Sequence, residues 1–335
     1  MQAAIYAPAG LELSDDERRF FRDADPAGFI VFKRNCETRE QLRRLTDALR
    51  ELSGRADVPI LIDQEGGRVA RMKPPEWPAF PAAERFSQLY QLAPSSAIEA
   101  ARANARAIAL MLRDVGINVD ALPLLDVRQK GASDIIGDRA LGSEPMQVAA
   151  LGRAVLDGMA SAGVVGIIKH IPGHGRALVD SHKELPVVSA DVGELDSDLE
   201  PFERLSSAPM GMMAHVVYTA FDAERPASMS PVVIRDIVRA RIGFDGWLMS
   251  DDIGMEALQG DFGSRAAGVV AAGCDVALHC SGKMDEMIAV AKAVPPMSAK
   301  GEARLARAMA SAGANADAPD FGQSIAIRDA LLGVA

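Results

Sequence analysis

Short apolar runs recur along this chain, each separated from the next by a segment of helical periodicity. They fall at residues 28–32, 58–62, 117–125, 164–168, 210–214, 247–249 and 276–278. Continuous runs of this length, rich in Val, Ile, Leu and Met, suit parallel strands covered on both faces. The segments between them, such as 40–53, 97–115 and 146–162, place apolar residues at helical spacing among Ala, Arg and Glu. Strand–helix repetition over 335 residues with no evident linker predicts α/β architecture, a single (β/α)8 barrel of the TIM type with room for an irregular strand. The whole chain, 1–335, is expected to be one catalytic domain. A doubly wound sheet is the structural alternative, but no Gly-rich dinucleotide fingerprint supports it. The Ala/Gly-rich stretch 308–320 reads as peripheral and leads to a final helix from about Ile325 to Leu332.

The residues immediately after each run point to chemistry. Ile62 leads into Asp63-Gln64-Glu65-Gly66-Gly67-Arg68, Leu125 into Asp126 and on to Gly137-Asp138-Arg139, and Ile168 into Lys169-His170. Ala214 leads into His215, and Met249 into Ser250-Asp251-Asp252. Helix caps and loop solvation explain polar residues such as Ser14 or Asp191. Ionisable groups repeated at the carboxyl ends of strands are instead where a barrel builds its active site. The densest segment is Lys-His-Ile-Pro-Gly-His-Gly-Arg-Ala-Leu-Val-Asp-Ser-His, residues 169–182, which holds three of the five histidines.

Composition narrows the partners. The net charge is −10, and the Arg-containing stretch 39–50 alternates with Leu and acidic residues as a solvated helix face does. Nucleic acid is therefore not an expected partner. Cys36, Cys274 and Cys280 are odd in number and lack CxxC spacing, which argues for a reducing compartment and against a cysteine-based zinc site. The first ten residues lack a basic start and acids come next at Asp15-Asp16-Glu17, so no secretory signal is read. No run is long enough to cross a bilayer, and a cytoplasmic location with no membrane partner is the expectation.

The segment Lys-His-Ile-Pro-Gly-His-Gly, four residues, then Asp-Ser-His closely resembles the central motif of the glycoside hydrolase family 3 N-acetyl-β-D-glucosaminidases. The resemblance extends from about residue 25 to 285. It takes in Ile62-Asp63-Gln64-Glu65-Gly66-Gly67-Arg68-Val69, Gly137-Asp138-Arg139, Met213-Ala214-His215, Ala272-Gly273-Cys274-Asp275 and the block 249–256 around Asp251. Ile171 and Leu141 stand where the family more usually has an aromatic, and Gly254 where Ser is common. The resemblance implies a retaining β-N-acetylglucosaminidase of the cytoplasmic peptidoglycan-recycling type. It would remove non-reducing terminal N-acetylglucosamine from anhydro-N-acetylmuramic acid, with or without a peptide. It implies Asp251 as nucleophile, His182 as acid/base supported by Asp180, and Asp63, Arg71, Arg139, Lys169 and His170 as substrate-binding residues. Neither a metal nor an organic cofactor is expected, the partner is a small carbohydrate, and the chain is expected to act as a monomer.

These residues make chemical sense in those roles. Retaining cleavage needs a nucleophile on one face of the sugar and an acid/base at the leaving oxygen. A carboxylate at a rigid strand end can attack the anomeric carbon and stabilise its developing positive charge. A histidine, with a reference pKa of about 6.5, can give and recover a proton near neutrality, and a neighbouring carboxylate favours its charged form. The glycines at 173 and 175 make a loop that could close only around substrate. The low aromatic content, 5%, fits a small polar clamp better than a stacking groove.

Blander roles are assigned elsewhere. His174 is read as a loop brace, His215 as a pocket-wall residue, and His279 and Asp275 as strand-end structure. Glu65 and Arg68 are read as a structural ion pair, and Asp252 as a structural residue pointing away from Asp251, a helix cap being one such role. Asp63 has a competing reading as the support of the Gly66-Gly67 turn. Two other reactions stay open: an N-acetylglucosaminide phosphorylase using the same intermediate, and a metal-dependent hydrolase with His170, His174, His182 and Asp180 as ligands. The latter lacks a compact helical His-x-x-x-His arrangement.

Overall fold

The computed structural model describes every residue except His182, Ala314, Ala316, Val334 and Ala335. Eight strands form its core: β1 (Gln2–Tyr6), β2 (Pro26–Val31), β3 (Ile60–Ile62), β4 (Val119–Asp120), β5 (Val165–Ile171), β6 (Met210–Met213), β7 (Trp247–Asp252) and β8 (Val276–His279). Each pairs in parallel with its sequence neighbours, and β8 returns to β1 through Ala4↔Ala277 and Ile5↔Leu278, closing the barrel. Parallel strands need crossovers, and helices supply them. These are α1 (Asp15–Ala24), α2 (Arg39–Ser53), α3 (Ala83–Leu92) with α4 (Pro94–Asp114), α5 (Pro145–Ser161), α6 (Val192–Arg204), the π-helical segment Val233–Arg241, α7 (Phe262–Ala272) and α8 (Met284–Ala293). Two more, α9 (Ala299–Met309) and α10 (Phe321–Leu332), come after β8. The (β/α)8 expectation is met.

All residues of β2 to β6 are buried, which is why apolar runs mark them in the sequence, interrupted by Asp120 in β4 and by Lys169 and His170 at the end of β5. Seven of the eight strands coincide with those runs. The missed strand is β1, whose Gln-Ala-Ala-Ile-Tyr carries little branched side chain, yet Ile5 and Tyr6 are fully buried. Register slips occur near the site, between Ile168 and Ile171 against β6 and between Val276 and Leu278 against β7, and also at the start of β1, between Gln2 and Ile5 against β2.

The helices obey local chemistry. Ser14 and Glu17 form a reciprocal capping box at the start of α1, and α2 runs from a Thr38 cap to a left-handed Gly54, burying Leu42, Leu45 and Leu49 on one face. Along α4 the buried face is largely alanine, and α5 crosses it at Gly158, where a Cβ would lie 2.3 Å from the Arg102 carbonyl. Small residues there let the two backbones approach closely. A short parallel ribbon, Val187–Val188 with Val217–Tyr218, stands outside the barrel beside the loop that leaves β5.

Candidate active site

One cavity of about 240 Å³ opens at the carboxyl ends of the strands. This is below the roughly 300–1,000 Å³ of sites for drug-sized molecules, so it has the scale of a single sugar ring. Phe32 after β2, Asp63 after β3, Lys169 and His170 at the end of β5, and Asp251 and Asp252 at the end of β7 all face it. Arg71 and Arg139 complete the set, so five expected substrate-binding residues and the expected nucleophile share one space.

An ion cluster forms the floor. Lys169 Nζ lies 2.7 Å from Glu65 and 3.2 Å from Asp63. Arg139 grips Glu65 with two 2.8 Å hydrogen bonds, and Arg71 donates to Asp63 at 3.0 Å. Burial alone would raise the Asp63 carboxyl, but Lys169 and Arg71 hold it well below the usual carboxylate range. Burial likewise opposes Glu65, and Lys169 with Arg139 overcomes it, pushing Glu65 down to about 2. Burial works against the Lys169 ammonium, yet Glu65 and Asp63 carry its pKa upward. Fixed charges of both signs around a small space can grip sugar hydroxyls by charge-assisted hydrogen bonds. Asp63 is thus a member of the cluster as well as a neighbour of the Gly66-Gly67 turn.

A second cluster sits behind β5. His170 Nδ1 is 2.8 Å from Asp126 Oδ2, and Asp126 Oδ1 accepts from the backbone N–H groups of His170 and His174. Asp126 is fully buried; burial would raise it, but His170 and these hydrogen bonds push it down to about 2. It fixes the His170 ring and leaves Nε2 for the cavity. His174 packs edge-on against His170 with ring centroids 5.8 Å apart and also lines the cavity. Burial, then the neighbouring His170, lowers it to about 4, so it is neutral at physiological pH.

At β7, the Asp252 N–H donates to Asp251 Oδ1 at 2.8 Å, fixing one oxygen of the expected nucleophile. Asp252 is structural, as expected, but by another arrangement. It caps no helix, lines the same cavity, and accepts from Gly254 N–H at 2.9 Å and Cys280 N–H at 3.2 Å. Burial is the main cause, with the adjacent Asp251 charge adding, that pushes Asp252 up to about 6.

Other expectations are corrected or extended. Glu65 and Arg68 do not pair: Arg68 donates to Asp138 at 2.7 Å and to the carbonyls of Asp134 and Ile135, while Glu65 belongs to Arg139 and Lys169. His215 does not line the cavity. It is buried, with Nδ1 2.7 Å from Ser228 Oγ and Nε2 3.1 Å from the Asp252 carbonyl. Asp275 is structural, accepting from Leu248 N–H and pairing with Arg239 and Arg304. Asp120, at the end of β4, was not singled out by sequence reasoning. Its Oδ1 accepts from Gln64 N–H at 2.9 Å, Oδ2 has no partner among the described residues, and burial pushes it up to about 8. An acid inside the otherwise largely apolar run 117–125 was the available signal.

The segment expected to carry the acid/base leaves β5 through Gly175, where a Cβ would lie 1.9 Å from the Val127 carbonyl, so no side chain fits. Asp180 begins a turn in which its carbonyl accepts from Lys183 and Glu184 N–H groups. Ser181, between Asp180 and His182, lines the cavity with Asp251, and its carbonyl accepts from Ala257 N–H at 3.3 Å. His182 lies outside the described residues. Among the described residues no cluster of three or more His, Cys, Asp or Glu is placed to hold a metal ion. No described helix is long and apolar enough to cross a membrane.

Comparison with known proteins gives one answer. The chain is 38% identical over 306 residues to a beta-hexosaminidase from Thiobacillus denitrificans, covering 89% of this chain and 84% of that one. A Methylococcus capsulatus beta-hexosaminidase is 38% identical over 277 residues, covering 81% and 80%. The crystal structure of native NagZ from Neisseria gonorrhoeae superposes with a TM-score of 0.88 at 30% identity, covering 99% and 98%. NagZ of the same organism in complex with N-trifluoroacetyl-D-glucosamine gives 0.86 at 30%, covering 100% and 98%. The glycosyl hydrolase family 3 N-terminal domain matches residues 4–312. With this coverage and a cavity of sugar size at the mouth of its barrel, the chain belongs to glycosyl hydrolase family 3 and is a glycosidase.

Proposed function

We propose that this glycosidase is a retaining β-N-acetylglucosaminidase that removes terminal N-acetylglucosamine from peptidoglycan fragments, as one catalytic domain acting as a cytoplasmic monomer. The observation that carries the reading is the shared cavity: Asp251 faces the same space as Ser181, the residue between Asp180 and His182. The similarity to beta-hexosaminidases, and to a NagZ that binds an N-acylglucosamine, supports the sugar preference. In the first half-reaction Asp251 attacks C1 with the oxygen not held by the Asp252 N–H, while His182 protonates the leaving oxygen. In the second, His182 takes a proton from water, which displaces the carboxylate. Asp180 supports the imidazolium, and Asp63, Arg71, Arg139, Lys169 and His170 hold the sugar in place.

The direct test tracks the first-formed anomer by proton NMR on an aryl β-N-acetylglucosaminide and on N-acetylglucosaminyl-anhydro-N-acetylmuramic acid. The reading predicts β-N-acetylglucosamine from both, before mutarotation. First-formed α anomer, or no turnover of the muramyl disaccharide, contradicts the mechanism or the substrate respectively.

A further inference from the structure

The segment that carries Ser181 to the cavity is held to the barrel unevenly. At its far end it joins the outer ribbon through Val187 and Val188. Between residues 178 and 184 the described backbone hydrogen bond to the rest of the barrel is the one from Ala257 N–H to Ser181 carbonyl. Near its base, the carbonyls of Gly175 and Ala177 accept from Gln129 and Ser133, which belong to another loop. Arg176 is different, because it reaches a helix. Its Nε donates to Asp198 Oδ2 at 2.6 Å, and Nη2 donates to the Glu194 carbonyl at 2.7 Å and to Ser197 Oγ at 3.1 Å. All three acceptors lie on α6. The Asp198 side chain is 1% exposed and that of Arg176 21%, so this is an enclosed contact between charged groups, unlike a surface ion pair. Gly173 rests directly on Asp198, where a Cβ would lie 3.1 Å from that of the aspartate, and its carbonyl accepts from the buried Tyr218 hydroxyl.

We propose that Arg176, clamped onto α6 through Asp198 and the Glu194 carbonyl, is a positioning residue for proton transfer: it sets the base of the segment from which Asp180 and His182 act. This rests on the reading of His182 as acid/base. Arg176 does not line the cavity. It lies four residues before Asp180, and a planar guanidinium engaging three acceptors on α6 fixes both the height and the direction at which the chain leaves β5. Small misplacements of a proton donor cost rate steeply, and the loss falls on leaving groups that need the proton.

The experiment compares wild type, His182→Ala, Arg176→Ala and Arg176→Lys on two N-acetylglucosaminides. One carries a 2,4-dinitrophenyl group, which departs without protonation; the other carries an alkyl or sugar aglycone, which does not. His182→Ala should lose far more kcat/KM on the second substrate. Arg176→Ala should lose about tenfold to a hundredfold on the second substrate and less than about threefold on the first. Arg176→Lys, which keeps the charge but not the fork, should fall between it and wild type, and it serves also if Arg176→Ala folds poorly. A merely structural role lowers the active fraction and reduces both substrates equally. Leaving-group dependence in His182→Ala with equal losses in both Arg176 variants overturns the proposal alone. Equal losses in His182→Ala overturn the acid/base reading and the proposal with it.

Discussion

Replacing Lys169 by Met removes a single positive charge from the floor of the cavity while nearly preserving side-chain length. Lys169 is 2% exposed and pairs with Glu65 at 2.7 Å and Asp63 at 3.2 Å. Breaking a buried pair by removing one partner costs about 3–5 kcal/mol. Each carboxylate here keeps a guanidinium, Arg139 on Glu65 and Arg71 on Asp63, so the lower end, about 3 kcal/mol, applies. For a chain of this size that lowers Tm by about 6 °C, at roughly 2 °C per kcal/mol. Substrate loses one charge-assisted hydrogen bond, about 1.5–3 kcal/mol, or roughly tenfold to 150-fold in kcat/KM. The double variant Lys169→Met with Glu65→Gln should cost less than the sum of the single changes, with a coupling of about 1–3 kcal/mol. The pH dependence has a fixed sign. Asp63 and Glu65 are depressed in the folded state, so their stabilisation is complete above the unfolded carboxylate range and lost as pH falls through the folded values. For Glu65 that window runs from 4.5 down to about 2. Thermal unfolding across pH and steady-state kinetics on an aryl glycoside measure all of this. A Lys169→Met enzyme with unchanged Tm and kcat/KM, or strictly additive double-variant losses, would refute the reasoning.

Two further outcomes concern buried groups. Asp120 is raised to about 8 by burial, against 3.8 in an ordinary carboxylate, so folding binds its proton across that interval and wild-type stability declines as pH rises through it. Asp120→Asn should therefore gain Tm relative to wild type between pH 4.5 and pH 8, and a difference independent of pH would contradict a neutral Asp120. Gly175→Ala must displace the Val127 carbonyl and should cost more than about 2 kcal/mol with loss of activity, whereas a variant as stable as wild type by urea unfolding would show that the two loops are not in contact.

Much of this architecture was legible in the sequence because burial on both faces leaves an unbroken apolar signature, as at 164–168 and 210–214. β1 escaped because its two alanines give no such run; its burial comes from β2 on one side and from β8 and α8, at the far end of the chain, on the other. The site residues at strand ends were legible for the same topological reason, since a barrel gathers its carboxyl strand ends at one mouth. Their partners were not. Glu65 sits three residues from Arg68 but bonds Arg139, 74 positions away, because the turn after β3 faces the loop after β4. His215 looks identical in sequence to the strand-end groups that reach the cavity, yet Ser228 and the Asp252 carbonyl hold its buried ring. Asp252 alternates with Asp251 along β7, but the turn at Gly254 and the neighbouring Cys280 N–H draw its carboxylate back to the cavity wall. Long-range pairing and the curl of a strand end are decided by tertiary contacts that leave no local pattern.

In the proposed mechanism the Asp251 carboxylate becomes covalently bonded to C1 of an N-acetylglucosamine unit. Incubating the enzyme with a 2-acetamido-2-deoxy-5-fluoro glycoside slows breakdown of that intermediate, and peptide mass mapping then locates the sugar. The account predicts one sugar per chain on the peptide containing Asp251, and none on Asp251→Ala. A label on Asp252, Asp63 or any other residue, or turnover with no trapped species at all, would contradict it.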